Sequence, residues 1–409
     1  MKHLQWIKTK WKTILTYLEV VVISVLYLVV GNRIASANFS FGSVASLQYT
    51  ADIIEIIDVK EETYTLNGTA SEMKSETITF RARVTSGRMK GAEVEASQQI
   101  DSIVAVSPKR VEAGDSVVLS YESEYAVNED GSAVPNGNYQ SPFLQYHRSG
   151  ILIVTGILFC ICLLIFGKWQ GLHTVVSLAF TCLAVFAVFV PSILSGQNIY
   201  VSAAITCVYI IAMTLLIVVG PHKKSLCAAI GCIGGLCVTA GLSALLTVIM
   251  HLTGLTDEQT LYITMMESAK IDLRALLFGG ILVGAVGAVM DVSMSLSSSL
   301  YEVGEQMGER RSIRALFRSG MTIGRDIMGT MANTLILAYI GSSLSVVILL
   351  AANETSLLSL FNQEMIVEEV MQALTGSFGI LFTIPVTSLV ASVLYTRKKR
   401  HQKVSKQRA

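Results

Sequence analysis

The side chains best placed to do chemistry in this sequence are Asp291, Arg325 and Asp326, because each falls in or beside a stretch otherwise rich in Leu, Val, Ala, Gly and Met. Asp291 lies 17 residues after Arg274. On a helix rising about 1.5 Å per residue, that puts it roughly 25 Å along a hydrocarbon layer about 30 Å thick. A carboxylate at that depth costs at least a few kcal/mol unless it is paired, protonated or wetted by a cavity. Ser295, Ser298 and Glu302 follow Asp291 at i+4, i+7 and i+11, making one polar stripe that must face protein or water. The following apolar stretch opens with Arg325 and Asp326, and Asp326, Thr330 and Asn333 or Thr334 recur at helical spacing. Two readings stay open for this set. One is a buried Asp291–Arg325 ion pair that fixes helix packing, and the other is a coordinating or proton-carrying path.

Small residues accompany the stripe. Gly280, Gly284 and Gly287 in one apolar stretch, and Gly231 with Gly235 in another, have spacing that lets neighbouring helices approach closely. Ile313, Leu316, Phe317 and Met321 share one helical face while Arg311, Arg314 and Arg318 share another, which predicts a helix lying on the inner leaflet or a cytosolic docking site. Glu354, Glu364, Glu368 and Glu369 make an acidic outer loop that could attract cations or simply be tolerated outside. Pro385 falls within the last apolar stretch and could kink it. The seven cysteines all fall in apolar stretches without metal-site spacing, so they read as packing residues, with no metal, no cofactor and no disulfide framework expected. The chain has no Gly-x-x-x-x-Gly-Lys-Ser/Thr loop, no His-Glu-x-x-His and no Gly-Leu-Gly-Asp signature, so it is read as a non-enzyme without its own ATP site.

The elements that must position these residues are membrane helices. Hydrophobic residues make up 52% of the 409-residue chain and charged ones 15%, more apolar surface than one soluble core could hide. Apolar windows near residues 13–31, 149–167, 172–190, 199–219, 226–250, 275–299, 327–351 and 376–395 predict a polytopic α-helical membrane protein of about eight transmembrane helices. With the N-terminus inside, 19 of the 31 Lys and Arg residues fall on cytoplasmic segments, and the short outer loops carry only Lys270 and Arg274. Both termini are therefore expected in the cytoplasm of a multi-pass cell-membrane protein. No basic patch points to nucleic acid.

Four regions follow: residues 1–39, a cytoplasmic N-terminus and first helix; 40–146, an exported β-rich domain between helices 1 and 2; 147–396, seven helices; and 397–409, a basic cytoplasmic tail. The first helix reads as an uncleaved anchor or as a signal cleaved after Ala35-Ser36-Ala37. In the exported region, residues 77–85 alternate apolar and polar as a half-buried strand does. Further strands are expected around Val94 and over residues 117–121. Turn signals at Ser86-Gly87, Lys90-Gly91 and Gly114-Asp115 complete a small antiparallel barrel or sandwich, with residues 128–142 as a tether.

The motifs Met290-Asp291-Val292-Ser293-Met294-Ser295, Leu316-Phe317-Arg318-Ser319-Gly320-Met321 and Ile323-Gly324-Arg325-Asp326-Ile327-Met328-Gly329-Thr330-Met331 resemble the YibE/F family of bacterial multi-pass membrane proteins, over roughly residues 150–395. The Gly114-Asp115-Ser116-Val117 turn and residues 87–91 also look similar to the family's longer members. The resemblance implies a Gram-positive bacterial source and a hetero-oligomer with a shorter family member, and it brings no catalytic residues with it. Two functions are expected from the sequence: a transporter or permease component with a polar path at Asp291 and Arg325-Asp326, or a non-transport envelope platform or sensor whose exported domain binds a cell-envelope partner.

Overall fold

The computed structural model describes residues 2–36, 48–65, 72–87, 90–101, 109–120, 125–127, 133–135, 141–255, 258–265, 271–308, 311–352 and 356–396. The basic tail, Arg310, Glu354, Lys270 and Ala37 lie outside these residues. The chain divides into two units, Ser40–Cys162 and a second made of Met1–Phe39 with Leu163–Ala409.

The first unit holds a closed barrel of β1 (Gln48–Thr65), β2 (Glu72–Val84), β3 (Glu93–Asp101), β4 (Ser116–Ser120) and β7 (Ser141–Tyr146), in the order β1-β2-β3-β7-β4. All its pairings are antiparallel except β3 with β7, which is parallel. Alternation builds its core: Ile78, Phe80, Ala82 and Val84 of β2 point inward to Tyr49, Ala51 and Ile53 of β1 and to Val117 and Leu119 of β4. The polar residues between them pair across strands outside, Arg81 with Glu55 and Arg83 with Glu93. Gln98, a large polar side chain deep in the barrel, is bonded at both ends of its amide. Its amide donates to the Lys109 carbonyl at 3.0 Å and its oxygen accepts from the Val111 N–H at 2.9 Å. Gly114, at φ +94°, makes the turn expected there and donates to the Ile53 carbonyl. The expected tether over 128–142 is corrected at both described places. Residues 133–135 are strand β6 (Ala133–Pro135), paired with β5 (Tyr125–Val127), and Ser141 and Pro142 already belong to the barrel, where Ser141 accepts the Tyr49 hydroxyl at 2.6 Å.

The helices are α1 (Lys2–Ala35), α2 (Ser149–Ala184), a π-helical turn over Val185–Phe189, α3 (Val190–Leu194), α4 (Ile199–Val218), α5 (Lys223–Ile249), α6 (Glu258–Met265), α7 (Leu273–Met307), α8 (Ile313–Ser342), α9 (Leu344–Ala352), α10 (Leu357–Leu360) and α11 (Glu364–Thr396). Among the described residues six stretches are long and apolar enough to cross a membrane: Tyr17–Ala35, Ser149–Leu194, Ile199–Val218, Lys223–Ile249, Leu273–Met307 and Glu364–Thr396. The second of them runs 46 residues, about two core thicknesses of helix, and is broken at Lys168, whose φ of 49° is non-helical. The two spans expected over 149–167 and 172–190 lie on either side of that break. Gly171 is required there, because a Cβ on it would sit 2.0 Å from the Leu163 carbonyl oxygen.

Two expectations near residues 313–351 change. Residues 313–321 do not form a separate interfacial helix, because α8 runs unbroken from Ile313 to Ser342. Leu316, Gly320 and Gly324 form one buried stripe along it, and nothing after Met321 interrupts the helical spacing. The apolar run expected as one span over 327–351 is instead shared between α8 and α9, which meet at Ser343.

At the centre of the helical unit α5 and α11 pack antiparallel through reciprocal glycine contacts. A Cβ on Gly231 would lie 2.0 Å from Thr387 Oγ1, one on Gly235 1.9 Å from Thr383 Oγ1, and one on Gly379 2.1 Å from Thr239 Oγ1. The glycines of one helix thus receive the threonines of the other, and α7 and α8 close around this pair. Gly235→Val should therefore destabilise the bundle by about 2 kcal/mol or more. Gly287→Ala, on an open face, should be neutral or gain a few tenths from helix propensity. Thermal unfolding of the purified variants in detergent reads the difference, and equal effects of the two would refute this packing.

Candidate functional site

Helix α7 carries two kinds of polar residue on opposite faces. Ser293 and Ser297 are buried among Val289, Val292, Leu296 and Leu300. Gly280, Gly284, Gly287, Asp291 and Ser295 lie on the exposed face, and Glu302 continues it toward the helix end. The spacing of three and four residues holds each set on its own side of the cylinder.

The buried set is a closed hydrogen-bond seam. Ser293 Oγ donates to the Ala228 carbonyl at 2.6 Å and lies 3.1 Å from Thr387 Oγ1. Ser297 Oγ donates to the Lys224 carbonyl at 2.8 Å and shares a 2.8 Å contact with the Tyr395 hydroxyl. Cys227 Sγ reaches the Thr387 carbonyl at 3.7 Å. These groups are satisfied by backbone carbonyls and by one another. They were not singled out in the sequence: Ser293 entered only within the Met290–Ser295 motif, and Ser297 not at all. Their four-residue spacing on the face opposite Asp291 was the available signal.

The expected path residues are placed differently from one another. Asp291 and Ser295 sit together on the open face of α7. Arg325, Asp326, Thr330 and Asn333 are exposed on α8, where Thr330 Oγ1 donates to the Ile327 carbonyl at 2.9 Å. No ion pair joins Asp291 to Arg325 among the described residues, so the paired reading is corrected: each side chain faces outward from its own helix. Glu302 is drawn off to Lys224, 3.0 Å away. Ser298 turns partly inward and lines a cavity of about 360 Å³ with Gln170, Val218, His222, Lys224 and Met294. The structure thus assembles Asp291 with Ser295, and Ser298 with Lys224, and does not gather the whole set.

The glycines divide in the same way. Gly231 and Gly235 are enclosed by α11, whereas a Cβ on Gly280 or Gly287 would meet nothing within 4 Å. Gly284 is the exception on its face, because a Cβ there would lie 2.7 Å from the Tyr339 hydroxyl of α8 and 3.7 Å from the Gln372 amide of α11. Tyr339 therefore crosses the open face between Gly280 and Gly287 and marks where α8 leaves α7. Of the acidic loop, Glu364 is committed to structure. Its carboxylate accepts from the Gly254 N–H at 2.8 Å and the Thr253 hydroxyl at 3.0 Å, and also from the Thr253 N–H.

A family model described as YibE/F-like protein matches residues 155–397, which include every helix from α3 to α11 and all the residues above. No curated protein and no solved structure matches the chain. Because Asp291 and Arg325 do not touch, Asp291→Asn and Arg325→Gln should act additively on stability, with a coupling below about 0.5 kcal/mol in a double-mutant cycle. A coupling of 1 kcal/mol or more, read from unfolding in detergent, would restore the ion pair.

Proposed function

We propose, from the premise that this chain belongs to the YibE/F-like protein family, that it is a non-enzymatic component of a membrane transport pathway whose polar path runs along the outward faces of α7 and α8. The observation that carries this reading is the position of Asp291. It lies mid-way along an apolar 35-residue helix, on a face lined by Gly280, Gly287 and Ser295 that the described helices leave open except where Tyr339 of α8 crosses it at Gly284. A carboxylate in lipid costs a few kcal/mol unless a proton, water or a second chain meets it, and the open face leaves room for the last two. Two chains apposed there would enclose a path that neither holds alone, and a shorter family member or a second copy would serve as the other wall.

The orientation expected from the basic residues fits this reading. Antiparallel packing of α5 with α7 and α11, and of α8 with α11, gathers Lys223, Lys224 and Arg311 at one end of the helical unit, which we take as the cytoplasmic end. The first helix is retained in this account. Tyr27 stacks on Tyr209 with centroids 3.9 Å apart, and the terminal carbonyls of Ile34 and Ala35 accept from Gln197 and Ser195.

A second reading, an envelope platform or sensor, draws on the barrel, which has its own core and closes on itself in a five-stranded Greek-key arrangement that recurs in ligand-binding modules. The two readings separate in proteoliposomes carrying pH- and potential-sensitive dyes and challenged with H⁺, Na⁺, K⁺ or Mg²⁺ gradients. The transport reading expects a flux that Asp291→Asn abolishes while the protein still inserts, and unchanged flux in that variant would remove Asp291 from the mechanism. Deletion of residues 45–146, which removes the whole barrel including β7, should spare the flux. If the intact protein passes none of these ions and that deletion removes co-purifying envelope protein, the platform reading takes its place.

A further inference from the structure

The end of the bundle where α5 begins and α7 and α11 end encloses a cavity of about 380 Å³, lined by His222, Lys223, Lys224, Tyr301, Glu305 and Arg311 with Leu394 and Tyr395 behind them. It shares His222 and Lys224 with the smaller cavity at Ser298. Neither cavity belongs to the path proposed along the outer face of α7.

The charges around it do not balance. Glu302 is taken by Lys224 at 3.0 Å, and Glu305 by Arg311 Nη2 at 3.1 Å. Arg311 also donates through Nη1 to the Tyr395 carbonyl at 2.9 Å, so it caps the negative end of α11. Two positive features are left over. Lys223 has no carboxylate partner among the described residues, and the remaining guanidinium nitrogen, Arg311 Nε, is buried without a hydrogen-bond partner. The positive end of α5 adds to them. Its N-cap, His222, makes no side-chain cap and turns its Nδ1 to the Val219 carbonyl at 3.1 Å, so the first-turn N–H groups lack a side-chain acceptor. The buried Arg311 Nε is a costly unmet donor, and a helix N-terminus flanked by cations is a ready site for an anion.

The shape of the wall narrows the chemistry. The Lys224 ammonium sits 4.3 Å from the Tyr301 ring centre, and Tyr301 packs edge-on against Tyr395. The Lys224 ammonium is therefore held against an aromatic face, and Arg311 is held by Glu305 and the Tyr395 carbonyl, while Lys223 stands exposed at the rim. A multi-oxygen anion can accept from Lys223 and from the first-turn N–H groups of α5 together, beside the Arg311 guanidinium on the same cavity wall, which a halide cannot do as fully. We infer that this cavity binds a phosphate group, borne either by an anionic lipid headgroup entering from the adjacent leaflet or by a soluble phosphate compound.

The test is thermal unfolding of the full chain in dodecyl maltoside, at matched ionic strength, with phosphatidylglycerol, phosphatidylcholine or inorganic phosphate added. The inference expects a saturable rise in midpoint with phosphatidylglycerol or phosphate, and a Lys223→Gln/Lys224→Gln double variant should weaken the apparent affinity at least tenfold. Phosphatidylglycerol alone acting assigns the headgroup, and inorganic phosphate acting at least as well assigns a soluble ligand. Equal stabilisation by phosphatidylcholine, no shift with either anion, or an unchanged double variant would overturn it. Should the double variant fail to fold, Glu305→Gln decides the matter. Releasing Arg311 from its carboxylate should tighten binding several-fold, and unchanged or weaker binding counts against the site.

Discussion

The close approach of α5 to α11 is the constraint on which the rest of the helical unit depends. In lipid there is no hydrophobic drive between helices, so association rests on van der Waals contact and on polar groups that need no water. The threonines at this interface meet both conditions. Thr383 Oγ1 donates to the Gly379 carbonyl of its own helix at 2.7 Å, and Thr239 Oγ1 to the Gly235 carbonyl at 3.2 Å. Each hydroxyl is satisfied at home and offers its bulk to the glycine opposite. Because both helices carry glycine and threonine four residues apart, the fit is mutual, and a shift along either axis would set threonine against threonine.

That interface dictates what α7 must be. Thr387, seated on Gly231, also lies 3.1 Å from Ser293, so α7 is drawn onto the pair by the same oxygen that fills the glycine notch. Lower down, Ser297 and Tyr395 repeat the link, and Arg311 then closes the end by capping α11. With one side of α7 fixed this way, helical geometry sends Asp291 and Ser295 to the other side. The outward acid is thus a consequence of the core and not a local accident. The same logic orders α8, where Gly320 and Gly324 accommodate Ser388 and Ile384 and turn Arg325 and Asp326 away.

How much of this was legible in the sequence depended on whether a property was local. Alternation over residues 77–85 reads directly as a strand because side-chain direction has period two, and β2 ends at Val84. The spacing of Gly231 and Gly235 marks a face, but nothing in one helix names the threonines that will fill it. Asp291 was conspicuous for its cost, and its pairing with Arg325 looked reasonable because both residues lie toward one membrane face. What decided otherwise was rotation about the helix axis, set by Ser293 and Ser297 through partners on α5 and α11 that are 65 to 98 residues distant in sequence. The eight-span reading met a similar obstacle. Lys168 breaks one 46-residue stretch, while the run after Met321 is shared by α8 and α9, and neither event has a proline to announce it.

The two polar regions of the helical unit differ in what they ask of their surroundings. The seam of Ser293, Ser297, Thr387 and Tyr395 consists of neutral hydroxyls that exchange hydrogen bonds among themselves, so it can remain sealed without strain. Asp291 has no such company, since the glycines flanking it contribute no donors and Ser295 is exposed beside it. Among the described residues no side chain pairs with Asp291, and the glycines at Gly280 and Gly287 leave the backbone beside it open to close approach. The fold therefore sorts its polar groups by helix face: hydroxyls turned inward hold the bundle, and the acid is turned outward.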